Sequence, residues 1–242
     1  MNIGTVSTVW IDPPPDEVKE YWWNLWYNAK HGPERFRLNG VFAWRRFEIV
    51  PDVPKLGLPA EHKYFTLSDQ RDNSVLLSDE ARALVASNIA ESKVPDTGEA
   101  LHVEGARWVS ASYEHEFSLH DDYDPPFTPY LLVIGHDMPE ERAAAFDAWV
   151  QDSFLARLGD LPGLVASRHF RPAPGYPHPR VTHNSDHAVP QCLTLCDLNT
   201  REAVESPDFG EFGEPSGAEL VKCQLYKLFY PYVGFKHVST LT

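Results

Sequence analysis

Cysteine and methionine are scarce in this 242-residue sequence, with three of the first and two of the second. Cys192, Cys196 and Cys223 are too few and too unevenly spaced for a disulfide scaffold or a four-cysteine zinc site. All three sit in apolar, strand-like segments, so reduced core thiols are expected. No apolar run approaches the roughly 20 residues that cross a bilayer. The opening stretch MNIGTVSTVWIDPPP has no basic segment followed by a long apolar one. It reads as an immediate β-strand rather than an export signal, and a soluble, cytoplasmic protein with no membrane partner is expected.

Basic residues are also in deficit, 21 Lys and Arg against 35 Asp and Glu, for a net charge of −14. Without a cationic run there is nothing to hold phosphates, so no nucleic-acid partner is expected. Several signatures of chemistry are missing too. There is no GxGxxG and no nucleophile elbow, GEFGEPSG is not a phosphate loop, and HEF at His115 is not HExxH. His183 and His187 have i,i+4 spacing, but their Pro-, Asn- and Ser-rich surroundings argue against a helix, so a loop and no metal are expected. Aromatic residues, in contrast, are plentiful: seven Trp, ten Tyr and thirteen Phe. That supply suits a pocket for a flat, apolar ligand as well as a core.

The chain also resembles itself. WYNAKHGPERFRLNGVFAWRRF, from Trp26, aligns without a gap on WVQDSFLARLGDLPGLVASRHF, from Trp149. Trp26 then meets Trp149, Gly40 meets Gly163, Ala43 meets Ala166, Arg45 meets Arg168 and Phe47 meets Phe170, while Phe154 stands where His31 would be. Strand-like segments precede each helix, and period-two segments follow each glycine. Each half reads βαββαβ, with Val18, Trp22, Leu25 and Trp26 as the buried stripe of the first helix. Such a unit makes a four-stranded antiparallel sheet with both helices on one face, leaving the other face bare. The expected fold is therefore α+β: two tandem ferredoxin-like repeats, 1–122 and 128–242, packed sheet to sheet as a pseudo-dimeric barrel. The boundary falls in HDDYDPPFTP.

The run W-Y-x-x-x-H-x-P-E followed by Gly and a strand, carried by Trp26, Tyr27, His31, Pro33, Glu34 and Gly40, resembles the dimeric α+β barrel superfamily and, within it, the EthD-like proteins. That resemblance implies a range of activities. The superfamily holds cofactor-independent monooxygenases of antibiotic biosynthesis, polyketide cyclases, dehydratases, lactone isomerases, and haem-containing chlorite dismutases and dye-decolourising peroxidases. The GxxDG motif of the last group is absent. Fold alone does not choose among them.

His31 is a candidate general acid or base; at a helix end it would otherwise cap carbonyls. On the strand after Gly40, Phe42, Trp44 and Arg46 share one face, and Ala43, Arg45 and Phe47 the other. Small Ala43 and Ala166 suit the helix-covered side, so Trp44, Arg46, Ser167 and His169 are expected to look into the barrel. Arg46 would there bind a carboxylate, phenolate or enolate, or end in water. SASYEHEFSL sets Glu114 against Tyr113 and His115, bringing titratable groups to the same cavity. The expected site thus has His31, Arg46, His115 and Tyr113 as catalytic groups and Trp22, Tyr27, Trp44, Glu114 and His169 against the substrate, with no cofactor. The expected function is a lyase or isomerase moving protons on a small aromatic or polyketide-like compound, in a chain that could pair as a homodimer. The alternatives are a cofactor-independent monooxygenase and a non-catalytic binding barrel.

Overall fold

The computed structural model describes residues 3–51, 53, 62–91, 105–119, 128–179, 181–183, 185, 189–205, 209 and 218–232. Strand β1 (Thr5–Asp12) leads to α1 (Glu17–Trp26), a π-helical turn (Tyr27–His31) and α2 (Gly32–Arg37). Then come β2 (Val41–Ile49), β3 (Tyr64–Gln70), α3 (Ser74–Leu77), α4 (Asp79–Glu91) and β4 (Arg107–Leu119). The order recurs in β5 (Tyr130–Asp137), α5 (Ala143–Trp149), a second π-helical turn (Val150–Phe154), α6 (Leu155–Gly159) and β6 (Leu164–Pro172). A short β7 (Val181–His183) precedes β8 (Cys192–Leu198), α7 (Glu202–Glu205) and β9 (Glu219–Tyr232). The boundary stretch from His120 to Phe127 lies outside the described residues, as does His187. His183 falls in a strand, not a helix.

Strands β1-β3-β2-β9-β5-β8-β6-β4 close into a ring through the β1–β4 pairing, with β7 added along β4. Closure leaves this ring without a free edge. The long strands β4 and β9, 13 and 14 residues, each join the two sheets, β4 by pairing with β1 and β6 and β9 by pairing with β5 and β2. Those joints link the sheet β4-β1-β3-β2 to the sheet β9-β5-β8-β6. Gly40 and Gly163 end the two long helical segments at φ +94 and +76, backbone that favours glycine, and each turns the chain into its next strand.

Among the described residues, the inside of the ring is packed core. Trp10, Phe47, Phe65, Leu67, Tyr113 and Phe170 belong to one buried apolar cluster. Four charges are buried with it: Arg45 reaches Asp69 at 2.7 Å and Asp197 at 2.9 Å, while Arg168 reaches Asp69 at 2.7 Å and Asp197 at 3.2 Å. Each guanidinium thus meets two carboxylates, the pairing that makes burial of charge tolerable. This arrangement corrects the expected facing of β2 and β6. The period-two sets hold, but Ala43, Arg45 and Phe47 point inward, and Trp44, Arg46, Ser167 and His169 lie under the helices.

Helix α1 is rotated from its expected stripe as well. It starts at Asp16, whose carboxylate accepts from the Val18 and Lys19 amides at 3.0 and 2.9 Å, with Glu17 and Glu20 in the first turn. Val18 and Leu25 are exposed, at 64% and 46%, while Trp23 and Tyr27 are buried. Trp22 and Trp26 are half-buried. The rotation has a polar cause: Asn24 and Asn28 turn inward to accept from Arg46 at 2.6 and 3.0 Å. Hydrophobicity alone assigns those asparagines to solvent.

Candidate functional site: a cleft between the first helix and its sheet

The continuous helical segment from Glu17 to Arg37 widens at Tyr27–His31, where the Gly32 amide donates to the Tyr27 carbonyl five residues back. A 3.6-residue helix lets side chains spaced by four drift around its axis; a π-turn offsets that drift. Tyr27, His31 and Arg35 therefore face the same way and line one cleft with Leu38. Opposite them the sheet contributes Ser7 and Val9 from β1, Val41 and Trp44 from β2, and Thr66, Ser68 and Gln70 from β3. The enclosed part of the cleft is small, about 70 Å³, and its mouth opens to solvent.

Strand register explains the polar floor. Ser112, Ser7, Ser68 and Trp44 lie side by side across β4, β1, β3 and β2, and Ser110, Val9, Thr66 and Arg46 form the adjacent row. The rows at corresponding places in the other sheet read Leu225, Leu132, Cys196, Ser167 and Cys223, Ile134, Thr194, His169. There the second π-turn presents Val150 and Phe154, and α6 adds Leu158, all buried in a packed apolar cluster. Among the described residues, the second helix–sheet layer is packed with apolar side chains and the rings of His136 and His169, whereas the first holds an open cleft lined with hydroxyls.

The His31 ring lies 4.9 Å from that of Trp26 and 4.7 Å from that of Tyr27, centre to centre. Thr66 donates to the Tyr27 hydroxyl at 3.3 Å. Burial raises the Tyr27 pKa, against the hydrogen bond from Thr66 and the positive charges of Arg46 and Arg35, so the phenol stays protonated at neutral pH. Trp44 approaches the helix at Gly32, where a Cβ would come within 2.6 Å of its ring. Glycine is what lets helix and indole meet this closely.

Arg46 stands behind this wall, fully buried, its guanidinium 4.2 Å from the Tyr64 ring centre, 4.6 Å from Tyr27 and 4.8 Å from Trp23. Burial lowers its pKa to about 10, with Tyr27, Tyr64 and Glu20 acting the other way. It reaches neither the ring interior nor the cleft lining, so it acts on the cleft only through Tyr27 and the helix.

Of the residues expected at the site, the cleft brings together His31, Tyr27 and Trp44. The others lie elsewhere. Tyr113 is buried inside the ring, donating to the Pro190 carbonyl at 2.8 Å, and burial pushes its pKa well up. His115 is half-buried, edge-on to Phe170. His169 is under the second-half helices, its Nδ1 2.8 Å from Thr194 Oγ1, its pKa lowered to about 3 by burial first and then by Arg171, His136 and His115. Trp22 packs at the margin of the aromatic cluster beneath α1, and Glu114 lies opposite Thr5 on the helix-facing side of β4; neither lines the cleft. Arg35, Ser7, Thr66, Ser68 and Gln70 are lining residues that the sequence reading did not single out. Their signal was available: FTLSDQ alternates polar residues where CLTLCDL, placed alike in the second half, has thiols and leucine.

All three cysteines are free and buried, as expected of core thiols. Among the described residues no cluster of His, Cys, Asp and Glu could hold a metal ion, and no helix is long and apolar enough to cross a membrane.

No family model matches the chain, and no curated protein does. Solved structures do. An anthrone oxidase-like protein superposes with a TM-score of 0.57 at 12% identity, over 100% of this chain and 98% of its own. A Fusobacterium nucleatum protein provisionally described as a monooxygenase gives 0.53 at 8% identity, over 96% of both chains. A chlorite dismutase variant from Candidatus Nitrospira defluvii gives 0.52 at 12%, covering 95% of this chain and 92% of that one. The fold is that of the dimeric α+β barrels, closed here within one chain. The haem of chlorite dismutases, as implied by the resemblance, does not fit these residues: Phe146, Val150 and Phe154 fill the second helix–sheet layer, and the first has a serine and glutamine floor where a porphyrin face needs apolar contact.

Proposed function

We propose that the chain is an enzyme that takes a proton from a small, electron-rich aromatic compound bound in the first-half cleft, and passes the resulting carbanion's electrons to dioxygen without a bound cofactor. The observation that carries this reading is the pairing of His31 with Tyr27 on one π-turn, above a polar floor, lining an open cleft. His31 is the base. Tyr27 accepts from Thr66 and has its own proton to donate to the oxyanion that forms as charge moves from carbon to oxygen. Trp44 supplies a flat apolar wall. In balance, a ring CH2 and O2 yield a ring carbonyl and water, the substrate being oxidised and dioxygen reduced. The anthrone oxidase-like and monooxygenase-described neighbours support this fate of the carbanion.

A proton donor beside a base also supports the lyase or isomerase reading, in which the carbanion is reprotonated or expels a leaving group. Oxygen separates the two. Turnover of an electron-rich aromatic that stops under nitrogen, with one O2 taken up per product in air, supports oxygenation; a rate indifferent to oxygen supports proton transfer alone. Ligand recovered unchanged in both atmospheres leaves a binding barrel. His31→Ala with unaltered turnover rules out the assigned base.

We also propose that 1–122 and 128–242 descend from one ferredoxin-like βαββαβ unit, the first copy keeping an open site and the second supplying the other half of the ring. The EthD-like run at Trp26–Glu34, falling on the π-turn, supports a place near those proteins. Every lining residue comes from the first copy, so a further homodimer is not needed to complete the cleft. The buried thiols support a cytoplasmic location.

A further inference from the structure

Gln70 is fully buried at the end of the β3 row that forms the cleft floor. Its Nε2 donates to Ser68 Oγ at 3.3 Å, while its Oε1 has no partner among the described residues. Ser112 Oγ, one row away on β4 and also buried, is without a partner among the described residues too. A buried carbonyl oxygen left unpaired costs on the order of a tenfold factor or more in any equilibrium that leaves it so. Tyr27 marks the opposite end of the floor through its bond with Thr66. Thr66 and Gln70 are four residues apart on one strand, hence roughly 13 Å.

We propose that Gln70 is a specificity-determining residue: its carbonyl oxygen selects a planar ligand that carries an O–H donor on the edge remote from His31. This rests on the cleft being the ligand site. A hydroxyarene satisfies the assignment, because it can stack against Trp44 while giving its hydroxyl proton to Gln70. A methyl ether or a carboxylate offers that oxygen only acceptors, and is rejected by lone-pair repulsion and by the loss of the waiting bond.

The experiment measures binding by ligand-observed NMR titration, using resorcinol, 1,3-dimethoxybenzene and benzoate as probes on the intact protein. Wild type is expected to bind resorcinol about tenfold more tightly than either of the others. Gln70→Met is expected to erase that preference, and Gln70→Glu, which keeps an acceptor there, to retain it. Equal binding of the three probes by wild type, no saturable binding of resorcinol, or a preference that survives in Gln70→Met overturns the proposal. The wild-type comparison stands even where a variant does not fold. His31→Ala is expected to keep the same order of affinities, which separates this inference from the catalytic one. In that variant, lost turnover with a retained hydroxyl preference supports both roles; unchanged turnover overturns His31's, and a lost preference overturns Gln70's.

Discussion

The rings of Tyr27 and His31 lie 4.7 Å apart across a π-turn, at the helical positions that Val150 and Phe154 occupy in the second half. One pair faces a cleft, and the other closes a core. The same helical device therefore serves chemistry once and packing once, which makes the two positions a controlled comparison inside one chain.

Phe154→Ala is expected to destabilise the fold by about 3 to 5 kcal/mol, since it empties a buried site among Phe146, Trp149 and Leu158. For a chain of this length that corresponds to a fall in Tm on the order of 10 °C. His31→Ala removes a half-buried ring beside an open cleft, and is expected to cost less than about 1.5 kcal/mol while lowering turnover by about a hundredfold or more. Thermal melts and initial rates on both variants check this. Equal losses of stability would mean that His31 belongs to the packing.

Much of this arrangement was legible in the sequence. The gapless match of Trp26 with Trp149 located both long helices, and Gly40 and Gly163 located the turns after them. What was not legible was which side of each strand turned inward. Period two separates Arg45 from Arg46, but the choice of face depends on Asp69 and Asp197, carboxylates far away in sequence that meet Arg45 and Arg168 only in the closed ring. Helix rotation was hidden for a related reason. Asn24 and Asn28 count as solvent-facing on any hydrophobic scale, yet both are held inward by Arg46. Buried polar partners, unlike apolar stripes, leave no local periodicity to read.

Asp69→Asn tests the tetrad directly. It leaves two buried guanidinium groups with one full carboxylate between them, an imbalance expected to cost about 3 to 5 kcal/mol. Asp197→Asn is expected to cost a similar amount, the Asn carbonyl keeping the bond that Asp197 accepts from Thr128 at 3.2 Å. Denaturant unfolding of both variants measures the effect. A loss under 1 kcal/mol in either would show that the ring interior tolerates the uncompensated charge.

Tyr27→Phe keeps the aromatic wall and removes only the hydroxyl. Because burial raises the Tyr27 pKa above 10, the phenol is protonated throughout the neutral range and is available as a donor there. The variant is expected to lose about tenfold to a hundredfold in turnover with little change in substrate affinity, and to lose any alkaline fall in rate that deprotonation of this phenol produces. Rate profiles from pH 6 to 11 distinguish this from a positioning role, in which affinity would weaken and the profile would keep its shape.

Acid stability should be governed first by two second-half histidines. Burial lowers the pKa of His136 to about 4 and that of His169 to about 3, from an ordinary 6.5, so both are neutral in the folded chain and take up protons more readily when it unfolds. The unfolded state thus binds more protons as pH falls below about 6.5, and stability drops from there until the folded-state values near 4 and 3 are passed. Asp69 acts in a separate, lower window: Arg45 and Arg168 overcome its desolvation and hold its pKa below 3.8, so its contribution fades only as pH falls through that depressed value. Replacing His136 and His169 together by Gln, which never takes a proton, should flatten the decline between pH 6.5 and 4 while leaving the steep acid transition below it. Unfolding free energies across that range decide the point; a decline of unchanged slope in the double variant would assign the acid sensitivity to other groups.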